Sequence, residues 1–166
     1  MLKILRKFLV LLLFTPAISW ADSSQLLEWV DLIPQEVRAA QQAAIDIEIN
    51  HNSVTAQPLA DAKLRDDLNN QQIAISGFVI PLEGDSEVVT EFLLVPYFGA
   101  CIHVPPPPQN QIIYVKDTKG VSITQLWDVV TVSGTITTNS VSHDLAQVGY
   151  SMQDIQVEPY GDPDTI

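Results

Sequence analysis

Four consecutive prolines, Pro105 to Pro108, stand between the apolar runs Phe92–Val95 and Ile112–Val115. Proline fixes φ and offers no backbone donor, so neither a helix nor the centre of a sheet continues through such a run. The chain must leave one element, cross a stiff extended segment and enter another. The same stretch holds the only cysteine, Cys101, and one of three histidines, His103. In extended backbone, side chains two apart face one way, so Cys101 and His103 are expected to project together. Gly99 precedes them, and the polar triplet Gln109, Asn110 and Gln111 follows the prolines.

Around this stretch the pattern is that of short strands: Ile73 to Ile80, Thr90 to Val95, Gln111 to Val115, Asp128 to Thr138 and Ser151 to Pro159. Gly77 and Gly134 lie inside two of them and predict a bulge or a sharp coil. Glu83-Gly84-Asp85 and Lys116 to Gly120 read as turns, Ser122 to Trp127 as a short helix or crossover, and Ser142 to Tyr150 as a loop or single turn. Strongly coiled short strands suit a small closed barrel better than a flat sandwich. The expected class is mainly β (α+β): an OB-like five-stranded barrel over residues 71–160 with N-terminal helices. Tyr97 and Phe98 read as core or loop packing.

Residues 22–70 read as the helical segment. Ser23 or Ser24 can cap a helix from Gln25 to Leu32, where Leu26, Trp29, Val30 and Ile33 fall at helical spacing. Glu36 to Ile49, rich in Ala, Gln and Glu and free of Gly and Pro, predicts a second helix. Residues 161–166 read as an acidic tail.

The first 21 residues read as a signal peptide. Lys3, Arg6 and Lys7 precede the apolar run Phe8 to Ile18, and Ser19-Trp20-Ala21 supplies a small-x-small cleavage site. The run is too short for a membrane span of about 20 residues. A periplasmic protein is expected, with no membrane insertion of the mature chain. The whole chain carries 8 Lys and Arg against 20 Asp and Glu, a formal charge of −12. Losing the leader removes three bases and no acids. Such a surface repels phosphate backbones, so nucleic acid is not an expected partner.

A lone cysteine cannot form an internal disulfide. Cys101 can be a packed thiol, a metal or redox thiol, or half of an intermolecular bridge. A thiolate with an imidazole suits zinc or copper, but a tight site takes three or four ligands. Glu83, Glu91 and His143 are the candidates to complete a shell on Cys101 and His103, with zinc favoured; His51 reads as an exposed loop residue. No CxxC, HxxxH or HExxH spacing occurs. A cysteine nucleophile would need His103, or His143 beside Asp144, as its base. The proline run reads as a loop stiffener or as a ligand for an aromatic-lined groove. Gly99, Pro105, Pro106, Pro107, Pro108, Gln109 and Asn110 would form that interaction loop.

Two runs carry a family resemblance. Gly77-Phe-Val-Ile-Pro-Leu-Glu83 and Thr90 to Gln111, with Gly-Ala-Cys-Ile-His-Val-Pro-Pro-Pro-Pro at its heart, resemble the bacterial family called domain of unknown function 3299. Leu32 to Pro34 and Val132 to Thr135 match its flanks. The resemblance implies a small periplasmic or lipid-anchored protein; this chain lacks the lipid-site cysteine. It further implies an accessory or metal-handling role beside an export-type ABC transporter of the envelope, in some settings of zinc acquisition; the reading taken from it is a non-enzymatic accessory protein. It supplies no catalytic residues.

Overall fold

The computed structural model describes residues 24–43, 59, 61–85, 87–101, 106–122 and 129–161. Eight strands occur among them: β1 (Gln25–Leu26), β2 (Gln71–Gly84), β3 (Val88–Val95), β4 (Ile113–Ser122), β5 (Val129–Thr137), β6 (Val141–Ser142), β7 (Gln147–Val148) and β8 (Tyr150–Pro159). Five close into a barrel in the order β2-β3-β4-β8-β5, with β5 returning to β2. Only the β4–β8 pairing in this ring is parallel. The expected OB-like barrel is therefore the observed one.

Period-two alternation explains the interior. Ile73, Ile75 and Val79 of β2 point inward with Phe92 and Leu94, Ile113 and Val115, Val130, Val132 and Ile136, and Tyr150 and Met152. Each large side chain buried this way stabilises the fold by roughly 1.5–3 kcal/mol. β2 is long enough to serve two neighbours in turn. Phe78 pairs with Val129 of β5 and Val95 of β3, marking the corner.

The two interior glycines act differently. The register on β5 is continuous through Gly77, so no bulge forms there. A Cβ at Gly77 would instead lie 2.8 Å from the Val95 carbonyl oxygen and 2.9 Å from the Trp29 ring. Gly134 does sit at a bulge, where the β5–β8 register shifts between Ser133 and Thr135.

Three expectations are corrected. Lys116 to Gly120 is not a turn between elements but part of β4. Glu91 pairs with Lys116 while Val89 pairs with Val121, so extra residues of β4 loop out within the ladder, with Gly120 at φ 74°. The region Ser142 to Tyr150 holds the small hairpin β6–β7 and the start of β8. Gln25 to Leu32 is not a helix: β1 runs parallel to β2 at Ile73 and Ala74, and a 3-10 turn, Trp29–Leu32, follows.

The barrel overrides helical spacing in that segment. Leu27 donates its N–H to Ala74 at 2.8 Å, and Trp29 Nε1 donates to the Ser76 carbonyl at 2.8 Å. Tyr150 Oη donates to the Leu32 carbonyl at 2.8 Å and accepts from the Arg65 N–H at 2.7 Å. These bonds to fixed partners outweigh local propensity. A 3-10 turn, Gln35–Val37, leads into a helix (α1) described over 38–43. The rest of the second predicted helix, His51, and the Ser122 to Trp127 crossover beyond Ser122 lie outside the described residues.

Candidate functional site

The outward side chains of β2, β3 and β4 are unusually apolar. Phe78, Ile80 and Leu82, Leu93 and Val95, and Tyr114 face away from the barrel interior and form a second cluster. Ala100, Cys101 and Ile112 from the β3–β4 connection complete it, with Val141, Ala146 and Val148 from the β6–β7 hairpin. In OB folds the face of the second and third barrel strands, here β3 and β4, is the one that binds oligonucleotides and oligosaccharides. In this chain its own loops fill that face.

Cys101 belongs to this filling. Gly99 at φ 78° and Cys101 at φ 63° are both left-handed, and between them Ala100 is fully buried. Only glycine takes that conformation without steric cost, so Cys101 is held there by the packing of its neighbours. Burial pushes its thiol from an ordinary 9.0 to about 11. The Tyr97 hydroxyl is also raised, first by burial and then by the charge of Cys101.

The acidic candidates lie at the far end of the β2–β3 ribbon. Glu83 and Glu91 face each other across it. Glu91 accepts hydrogen bonds from Lys116 Nζ and, at 2.6 Å, from Tyr114 Oη. Those two bonds, Lys116 first, hold its carboxyl below the usual range, and His143 adds a smaller pull in the same direction. Tyr114 is pushed up to about 12 by burial and by its bond to Glu91. His143 accepts the Leu145 N–H on Nδ1 at 3.2 Å. The structure thus brings Glu91, Glu83 and His143 to one region. Even so, among the described residues no three His, Cys, Asp or Glu gather closely enough to hold a metal ion. His103 and Pro105 lie outside the described residues.

The polar triplet turns inward. Asn110 is fully buried and exchanges two amide hydrogen bonds with Gln41 of α1, at 2.7 and 2.9 Å. Its Nδ2 also donates to the Lys63 carbonyl at 2.9 Å. Gln109 donates to the Ala62 carbonyl, and Gln111 to the Trp29 carbonyl. Pro107 and Pro108 are buried and Pro106 half-buried. This end of the loop anchors the barrel to its N-terminal strap.

The loop exposes two aromatic residues whose sequence context predicts core or loop packing. Tyr97 is 42% exposed and Phe98 54% exposed, although Phe98 keeps an edge contact with Phe78 at 6.1 Å. No sequence pattern separates an exposed aromatic from a buried one beside a glycine.

The description "Protein of unknown function (DUF3299)" belongs to a family whose model matches residues 29–159. The chain belongs to the DUF3299 family. A DUF3299 family protein from Pseudomonas aeruginosa PAO1, known from a crystal structure at 2.45 Å resolution, is 37% identical in sequence. The two superpose with a TM-score of 0.68 over 83% of this chain and 97% of that one. Among curated proteins none matches. The DUF3299 match begins at Trp29, whose ring packs on Gly77, and ends at the last residue of β8. Strap and barrel are therefore a single family unit.

Proposed function

We propose that this DUF3299 protein is a non-enzymatic accessory module of the cell envelope that works by holding another protein. The observation that supports this reading best is the filling of the barrel's binding face by Ala100, Cys101, Ala146 and Val148. An apolar plug covers the surface on which an OB fold takes a sugar or nucleotide. A thiol raised to about 11 carries little thiolate at neutral pH, the form that nucleophilic attack requires. The leader motif argues for export, and the acidic charge argues against nucleic acid and anionic lipid. No helix among the described residues is long and apolar enough to cross a membrane. The family resemblance suggests an ABC-type transport system as the setting.

A zinc site on Cys101 and His103, completed by Glu83, Glu91 or His143, is the competing reading. The proximity of His143 to Glu91 favours it. Elemental analysis of protein purified without chelator or affinity metal, beside Cys101→Ser, separates the two. The accessory reading expects no stoichiometric zinc or copper in either protein, even after zinc is added back. Stoichiometric metal in the wild type that is missing from Cys101→Ser would overturn it.

A further inference from the structure

We infer that the partner docks over the two loops that plug the barrel face, through Tyr97, Phe98 and Leu145, and presents a basic protein surface around an apolar pocket. The inference rests on the accessory reading above and adds the surface and the chemistry of what binds it.

Six large hydrophobic side chains are markedly exposed among the described residues: Leu26, Val30, Tyr97, Phe98, Leu145 and Tyr160. Scattered singly, such residues need no explanation. Half of them, however, belong to the β3–β4 and β6–β7 connections, whose described residues join the cluster on one face. Tyr97 and Phe98 lead into Ala100 and Cys101, and Leu145, at 40% exposure, precedes Ala146. Ala100, Cys101 and Ala146 of the two connections pack into the same cluster, so the outer residues stand on one apolar layer. The Phe98 ring is further fixed by its edge-on contact with Phe78, with 74° between the planes. Rings already held in place lose little freedom on docking, and aromatic anchors of this kind dominate interface energetics.

Charge selects the occupant. The exposed Asp144 adjoins Leu145, one of the three anchors. The chain as a whole carries −12. A second copy would bring the same charge, and nucleic acid or an anionic lipid surface would be repelled likewise. A protein with Lys and Arg around an apolar pocket complements both features.

The probe is a phage-displayed random dodecapeptide library panned against the purified protein. Enriched peptides should combine Lys or Arg with Phe, Leu or Trp. Their affinity should fall at least about tenfold in Phe98→Ser and in Tyr97→Ser, the range of an interface anchor. It should also fall with added NaCl, while Tyr160→Ser, an exposed aromatic elsewhere, binds as the wild type does. Absence of enrichment, enrichment of acidic peptides, or equal binding to Phe98→Ser would overturn the inference. Metal content is read separately: metal on Cys101 would sink the accessory reading without bearing on these peptides.

Discussion

At the scale of single residues, Cys101 is where the sequence attracted most chemistry and the structure gives the plainest answer. Its spacing from His103 was visible, but the left-handed turn at Gly99 and Cys101 and the depth of Ala100 were not. Cys101 itself is half-buried, and the burial that raises its thiol depends on loops distant in sequence. Because the folded thiol holds its proton up to about 11, against 9.0 ordinarily, the native state binds that proton more tightly than the unfolded chain does. The resulting contribution to stability is complete below 9.0 and is lost as pH rises from there through about 11. Urea unfolding across that window should show wild-type stability falling more steeply than that of Cys101→Ala. Tyr114 and Tyr150, raised to about 12 from 10.0, add a loss that begins at 10.0 and is common to both proteins, so the difference between the curves reports the thiol. Parallel curves would mean that the thiol is solvated.

At the scale of elements, the five barrel strands were readable because period-two alternation is a local signal, as in Ile73, Ile75 and Val79. The turn chemistry at Lys116 to Gly120 was real too, but the ladder absorbed it as a loop-out within β4, which only the partner strand reveals. Gln25 to Leu32 shows the converse, for helical spacing lost to hydrogen bonds offered by β2. The Gln41–Asn110 clasp was out of reach, since its partners stand 69 residues apart and neither is an unusual residue in its place. Truncating Asn110 would leave the Gln41 amide and the Lys63 carbonyl without their buried partner. Asn110→Ala should therefore destabilise the protein by about 1–3 kcal/mol. The double variant with Gln41→Ala should cost less than the sum of the single changes, by about 0.5–3 kcal/mol. Hydrogen exchange in α1 should accelerate in each variant. Strict additivity in denaturant unfolding would show that the two amides do not act as a pair.

At the scale of the whole molecule, an acidic surface encloses two apolar clusters, one inside the barrel and one outside it. Three ion pairs occur among the described residues: Arg38–Asp31, Arg65–Asp67 and Lys116–Glu91. With 20 acids against 8 bases, most carboxylates have no cation to meet, and their mutual repulsion works against the compact state. Sodium chloride screens that repulsion over a Debye length of about 10 Å at 0.1 M and about 3 Å at 1 M. The melting temperature should consequently rise with NaCl, by roughly 2–8 °C if screening is worth about 1 kcal/mol. A fall would mean that the three pairs outweigh the repulsion. The same screening slows the approach of a basic partner, so its association rate should drop over the range in which stability climbs. A non-ionic excluded solute such as sucrose should raise stability without screening charge, and so leave electrostatic steering in place. The charge would therefore have two separable consequences: weakening the isolated fold and accelerating capture of the proposed basic partner.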